Sequence, residues 1–270
     1  MNFSLLVTGA RGQLGRDVAA AAAHAGITRI HAPGSAELDI TDPAAVSSAI
    51  SLAGRGSRLV VINAAAYTAV DAAEREGAAR AHSVNALGPA NLALACAAHP
   101  AHLVQISTDY VFAGDSAGPN TVDGPTAPRT VYGRTKLAGE RAVGPGATII
   151  RTSWVFGPGK ENFFSTVHQR LRRGERVRAT SDVFASVTWV EHLAARAAEI
   201  IASGERGLFN VANDGVCSPE EFAREAARLV GADPSLIEPL SDPRHAPPLA
   251  AEPPLPHWRA ALAEYIIGAP

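Results

Sequence analysis

Tyr132-Gly-Arg-Thr-Lys136 sets a phenol and an ammonium four residues apart, so both project from one face of a helix. A phenol with an ordinary pKa of about 10 exchanges protons poorly at neutral pH, but a neighbouring cation stabilises the phenolate and brings it into range. Only Lys136 and Lys160 are lysine among 24 basic residues, the rest being arginine. A retained lysine therefore marks a place that needs a compact ammonium, such as one bonding ribose hydroxyls. Ser107-Thr-Asp-Tyr-Val-Phe112 adds a third group, because the apolar run before it reads as a strand ending in hydroxyls. Open parallel sheets place their ligands at such strand ends, where Thr108 can donate to a carbonyl oxygen.

A second constellation, Gly9-Ala-Arg-Gly12-Gln-Leu-Gly15, follows the apolar run 3–8 directly and opens a helix-forming stretch, 13–25. Glycines there let backbone approach a pyrophosphate, and the free N–H groups of a helix start hold its charge. Gly9, Arg11 and Gly12 are thus candidate dinucleotide-binding residues. Such sites commonly set a carboxylate on the ribose 2′-hydroxyl at the end of the second strand, roughly 20 residues on. Here His31-Ala-Pro-Gly-Ser35 offers none before Glu37. With no opposing carboxylate, Arg11 is free to meet a 2′-phosphate, which favours NADPH over NADH.

These groups need a scaffold, and the apolar pattern supplies one. Short strands at 28–32, 59–63, 103–107 and 147–152 alternate with helices at 43–53, 78–98 (broken near Gly88-Pro89) and 131–142. Alternation of this kind predicts an α/β fold, a Rossmann-type doubly wound parallel sheet. Further helices at 162–173, 190–203 and 219–230 sit in a less regular half. The division expected is a dinucleotide-binding core over 1–152 and a smaller, mixed, mainly substrate-binding region over 153–270, with segments returning to the sheet. Seven prolines between 239 and 256 exclude helix and central strand there. That stretch reads as a wrapping tail before an amphipathic helix, 257–267.

The totals narrow the function. The chain has 270 residues, 47% of them hydrophobic and 19% charged, a composition that folds around a substantial core. A net charge of -2 lacks the basic excess that a phosphate backbone requires, so nucleic acid is not an expected partner. Two isolated cysteines, Cys96 and Cys217, suit neither a disulfide framework nor a thiolate metal site. With no leader pattern and no apolar run of membrane-spanning length, a cytoplasmic protein without membrane contact is expected.

Six motifs taken in order resemble the dTDP-4-dehydrorhamnose reductases of the extended short-chain dehydrogenase/reductase superfamily. They are Gly9-x-x-Gly12-Gln-Leu-Gly15, Leu38-Asp-Ile-Thr41, Asn63-Ala-Ala-Ala-Tyr-Thr-Ala-Val-Asp71, Ser107-Thr-Asp-Tyr-Val-Phe112, Tyr132-Gly-x-Thr-Lys-x-x-Gly-Glu140 and Arg151-Thr-Ser-Trp-Val-Phe-Gly157. The resemblance implies a catalytic triad of Thr108, Tyr132 and Lys136. It also implies that Gly12, Gln13, Leu14, Asp39, Ile40, Ala64, Ala65, Ala66, Tyr132 and Lys136 line the cofactor, with Thr108, Asp109 and Trp154 on the sugar nucleotide. The implied reaction is hydride transfer from NADPH to the C4 ketone of a dTDP-linked 4-keto-6-deoxy sugar. Tyr132 would protonate the nascent alkoxide, Thr108 would stabilise it, and Lys136 would lower the phenol pKa and hold the ribose.

Two departures fall on the sugar side. The family pattern Asp-Gln-x-Gly-x-Pro-Thr reads here Asp182-Val-Phe-Ala-Ser-Val-Thr188, and an Arg-Pro segment near the C-terminus is reduced to Arg244-His-Ala-Pro-Pro-Leu249, while Trp258 survives in the closing helix. An altered sugar is implied, as in the 4-ketoreductases of antibiotic deoxysugar pathways. The rival readings are a non-catalytic, cofactor-bound regulatory subunit of methionine adenosyltransferase and a nucleotide-sugar epimerase or dehydratase. An intact triad weighs against the first, and Asp109-Tyr110 after the threonine, where dehydratases carry Asp-Glu, weighs against dehydration. Asp182 and Glu191 show no ligand spacing, so no metal is expected, and the chain is expected to be a monomer or homodimer.

Overall fold

The computed structural model describes residues 3–114, 118–241 and 248–268. The Arg244 segment singled out above falls largely outside them. In chain order the first half contains β1 (Phe3–Thr8), α1 (Gln13–His24), β2 (Arg29–His31), α2 (Pro43–Ala53), β3 (Arg58–Asn63), α3 (Val70–Ala73), α4 (Ala78–His82), a π-helical turn (Ser83–Leu87), α5 (Gly88–Ala97), β4 (Ala101–Thr108), α6 (Val131–Val143) and β5 (Thr148–Thr152). After it come β6 (Val155–Phe156), α7 (Phe163–Arg172), β7 (Val177–Thr180), β8 (Thr188–Trp189), α8 (Val190–Ser203), β9 (Leu208–Asn210), β10 (Asn213–Asp214), α9 (Pro219–Val230), β11 (Ile237–Leu240), β12 (Leu255–His257) and α10 (Trp258–Gly268).

Six strands form one parallel sheet in the order β2-β1-β3-β4-β5-β9. This is the Rossmann-type doubly wound architecture, and successive connections run in opposite directions from β1. A crevice therefore opens beyond the carboxyl ends of β1 and β3, where such sheets take ligands. The inner strands β1 and β3 are buried on both faces and read as near-continuous apolar runs, with neighbours pointing to opposite sides. Leu5, Val7, Val60 and Ile62 pack with α1 and α8, whereas Leu6, Leu59 and Val61 pack with α2 and α5. Each fully buried aliphatic side chain contributes roughly 1.5–3 kcal/mol.

A third core gathers Phe156, Leu171, Phe222, Leu262 and Trp258 from β6, α7, α9 and α10. Helix α10 meets it through Trp258, Ala261, Leu262, Tyr265 and Ile266, a stripe at helical spacing. Helix α8 and strand β9 leave this region and return to the sheet, α8 against α1 and β9 beside β5.

One expectation needs correction. The helix read as broken at Gly88-Pro89 runs on, because Pro89 occupies the first turn of α5, where its missing N–H costs nothing. Gly88 is there for packing, since a Cβ would stand 2.5 Å from Ile40 Cδ1. The irregularity lies one turn earlier, in the π turn. The proline-rich stretch has no helix or central strand among its described residues, and its extended pairs lie at its two ends: Pro239 in β11 against β7, and Pro256 in β12 against β10. Each belongs to a two-stranded sheet with a free edge, the setting that tolerates a missing donor. Between them, Leu249 and Ala250 cross to Ser186, Asn120 and Asn210 by hydrogen bonds, as a wrapping tail should.

Candidate active site

The glycine loop closes tightly on the crevice. Gly9 has φ +67°, and a Cβ there would lie 2.7 Å from the Ala65 backbone; at Gly15 it would lie 2.4 Å from the Gly9 carbonyl oxygen. Side chains at these positions would push β3 and α1 away from β1. Gly12 caps α1 without a side-chain hydrogen bond, so the first N–H groups of the helix are open to an anion. Two cavities meet here. The smaller, about 320 Å³, is lined by Gly9, Arg11, Gly12, Asp39, Ile40 and Ala64 to Ala66. The larger, about 1120 Å³, shares Gly12, Ala64 and Ala66 with it and adds Gln13, Leu14, Thr108, Asp109, Tyr132, Lys136 and Trp154. Every residue singled out as a candidate thus lines one cavity or the other.

The contacts within the smaller cavity differ from expectation at Arg11. Glu37 folds back, accepting a 2.6 Å hydrogen bond from the Gly34 N–H and meeting the Arg11 guanidinium at 3.4 Å. Arg11 therefore does face a carboxylate, one that the turn 34–37 returns to it. Both side chains are exposed, so the pair is weak and readily exchanged for an anion. Asp39 takes the Thr41 N–H and hydroxyl on one oxygen, which holds its carboxyl below the usual range. Asn85, from the π turn, accepts from the Tyr67 N–H at 2.9 Å and donates to the Tyr67 carbonyl and the Thr135 hydroxyl, tying the cavity wall to α6.

Helix α6 starts at the Thr130 cap, whose hydroxyl accepts from the Gly133 N–H, and carries Tyr132, Lys136 and Glu140 on one face. Gly133 lets the Tyr110 carbonyl approach to where a Cβ would be, and the Tyr110 and Tyr132 rings meet edge to face at 5.6 Å. Lys136 donates from Nζ to the Ile106 carbonyl at 2.6 Å. Burial draws its ammonium down to about 8, against the opposing field of Glu140. Tyr132 departs from expectation: burial raises its phenol well above the ordinary value, the Asp109 charge raises it further, and a hydrogen bond with Thr108 pulls the other way. Lys136, aimed at strand β4, does not supply the lowering that its i+4 spacing predicts.

Thr108 donates its hydroxyl hydrogen to Asp109 at 2.8 Å, and Ser153 donates to the other Asp109 oxygen at 2.6 Å. Burial lifts the Asp109 carboxyl to about 6 in spite of these bonds. Gln13 is also committed, its amide donating to the Gly157 carbonyl at 2.8 Å.

On the far side, Trp154 stands at φ +35°, the only non-glycine residue with positive φ among the described residues, and packs on Phe164 at 4.8 Å. Val183 packs against the same indole, and an Ala185–Cys217 bridge holds the divergent 182–188 loop. Sequence reasoning assigned no role to Lys160, which lines the larger cavity and donates to Thr68 at 2.8 Å, nor to Ser153. The scarcity of lysine pointed to the first, and the Arg151-Thr-Ser-Trp motif contained the second.

The family model for the RmlD substrate binding domain matches residues 2–266. The chain belongs to this family. Among RmlD-family relatives, a dTDP-4-dehydrorhamnose reductase of Mycobacterium tuberculosis is 43% identical over 96% of this chain and 91% of that protein. A probable dTDP-4,6-dihydroxy-2-methyloxan-3-one 4-ketoreductase of Streptomyces antibioticus is 39% identical, covering 96% and 93%. In three dimensions the RmlD-family chain matches a dTDP-4-dehydrorhamnose reductase of Bacillus anthracis, solved in complex with NADP. The TM-score is 0.90 and the identity 29% over 100% of both chains.

Proposed function

We propose that this protein is an NADPH-dependent reductase of the C4 ketone of a dTDP-linked 4-keto-6-deoxy sugar. One observation carries the reading: Thr108, Tyr132 and Lys136 converge in a single cavity that continues into the glycine loop. The residues fit a nicotinamide dinucleotide. Gly9 and Gly15 let the loop close tightly between β1, β3 and α1, the start of α1 is uncapped, and the buried Ser107 hydroxyl in the cavity wall has no partner among the described residues. Residues 1–152, with the returning α8 and β9, hold the dinucleotide in this reading, and the remainder of 153–270 holds the sugar nucleotide. Gly9, Arg11, Gly12, Gln13, Leu14, Asp39, Ile40 and Ala64 to Ala66 line its course.

NADPH, when bound, supplies the hydride to C4. Tyr132 delivers its phenolic proton to the C4 oxygen, a transfer that a raised phenol pKa favours only when the acceptor is itself a strong base, as a developing alkoxide is. Lys136, still cationic at neutral pH, holds the ribose hydroxyls. Trp154, Phe164 and Val183 give the sugar an apolar wall, which suits a deoxygenated edge. Both cysteines are buried free thiols, and no described helix is long and apolar enough to cross a membrane; in this reading the protein works in the cytoplasm as a monomer or homodimer.

The test follows NADPH absorbance with dTDP-4-dehydrorhamnose and with a 2,6-dideoxy 4-keto analogue. Turnover of either substrate, reduced on the order of 100-fold or more in Tyr132→Phe while NADPH still binds, supports the reading. NADPH binding without consumption on both substrates overturns it in favour of a regulatory role.

A further inference from the structure

We infer that Asp109 is a positioning residue that joins the reacting groups to the sugar wall: its carboxylate, buried between Thr108 and Ser153, fixes the direction of the Thr108 hydrogen and clamps the turn carrying Trp154. The inference rests on the reductase reading above.

An ionised carboxylate only accepts hydrogen bonds, and an amide N–H only donates them, so the hydrogen positions in this cluster follow from chemistry. Thr108 spends its single hydrogen on Asp109 Oδ1, and the Tyr110 N–H donates to that oxygen at 3.1 Å and to Thr108 Oγ1 at 3.3 Å. What Thr108 retains toward the cavity is a lone pair, on a hydroxyl whose hydrogen is held away on Asp109. With the Thr108 hydrogen so committed, Tyr132 in the same cavity is the donor left to reach the C4 oxygen. Asp109 itself is 1% exposed and its oxygens are occupied by three donors, so it acts on the sugar through its neighbours.

The other oxygen reaches 44 residues along the chain to Ser153. The next residue, Trp154, adopts a left-handed backbone that a bulky side chain rarely takes, and such a conformation persists only where its surroundings over-determine it. Ser153 on Asp109 clamps one side of the turn. On the other side, the Thr188 N–H donates to the Trp154 carbonyl at 3.3 Å and Asn162 Nδ2 to the Val155 carbonyl at 3.1 Å. One carboxylate therefore holds both the Thr108 hydroxyl in the reacting cavity and the wall against which the sugar lies.

Steady-state kinetics with the turned-over 4-keto sugar, beside NADPH titration by fluorescence, separate this role from a merely structural one. Ser153→Ala leaves the Thr108 bond intact but frees the Trp154 turn; KM for the sugar nucleotide should rise about 5- to 10-fold with kcat within about twofold. Asp109→Asn presents a donor where Thr108 needs an acceptor; kcat should fall on the order of 10- to 100-fold, with NADPH affinity unchanged. In the double variant KM should rise no further than in Asp109→Asn, because the clamp is already lost. Variants that melt earlier yet keep wild-type kcat and KM overturn the inference, as does a Ser153→Ala protein with unchanged KM. Should Asp109→Asn not fold, the Ser153→Ala split decides alone. A wild type that binds NADPH but reduces no 4-keto sugar sinks the reductase reading instead, and the clamp is then read from dTDP-rhamnose titration, which Ser153→Ala should weaken by the same factor.

Discussion

Replacing Glu140 by glutamine removes one charge from a buried pair while conserving shape. Arg151 donates to the two Glu140 oxygens at 2.9 and 2.8 Å, and both side chains are 5% exposed. The guanidinium has two further contacts, the Val122 carbonyl at 3.1 Å and the Phe112 ring at 4.9 Å, neither of which carries charge. Glutamine retains one acceptor but turns an N–H toward an N–H, leaving a cation in a site with little water. Stripping one partner from such a pair costs about 3–5 kcal/mol, against a total stability of about 5–15 kcal/mol. For a chain of this size that lowers the melting temperature by roughly 6–20 °C. A second readout comes from Lys136, whose ammonium Glu140 supports. Lysine is charged below its folded-state pKa, so an activity that needs the ammonium holds at neutral pH and declines above about 8. Without Glu140 that alkaline limb of kcat/KM should move to lower pH. Calorimetry, denaturant titration and a pH–rate profile of Glu140→Gln check both effects, with Glu140→Gln/Arg151→Met recovering most of the stability. A single variant within about 1 kcal/mol of wild type, with its limb unmoved, would refute the reasoning.

The first turn of α1 and the third core allow two further tests. Gly15→Ala sets a methyl 2.4 Å from the Gly9 carbonyl, so NADPH affinity should fall about tenfold or more; an unchanged fluorescence titration would show that the loop accommodates it. His168 is fully buried, neither ring nitrogen has a partner among the described residues, and burial first and Arg172 second lower its pKa to about 4. The unfolded chain then binds the proton first as pH falls, so wild-type stability should drop by up to ~1.4 kcal/mol per pH unit from about 6.5 to about 4. His168→Leu should flatten that slope, and denaturant curves with parallel pH dependence would rule the effect out.

What could be read from the residues in advance was what is local. The run from β1 through the glycine loop into α1, and the face of α6, are written in adjacent residues, and α2, α8 and α9 begin and end where composition changes. Strand β9 escaped because three residues bear no period of their own; it is a strand only because β5 lies beside it. Prolines hid β11 and β12, since nothing along the chain says that an edge will be free. The site was incomplete for the same reason: Glu37 returns to Arg11 across 26 residues, and Ser153 reaches Asp109 across 44. Arg151 and Glu140 were each visible inside a motif, but their pairing is a property of the packed sheet and helix.

The π turn at Ser83–Leu87 sets a phase relation between two helices. Such a turn holds one residue more than the helix it interrupts, so α4 and α5 are offset by about 100° from the path a continuous α-helix would take. Asn85 sits in that offset, facing Tyr67 on one side and Thr135 on the other. Deleting one residue here would produce a more regular helix by any local measure, and it would aim Asn85 elsewhere. The length of this segment is therefore part of the cofactor cavity's specification, and insertions or deletions that a surface helix would absorb should be as damaging here as a change in the glycine loop.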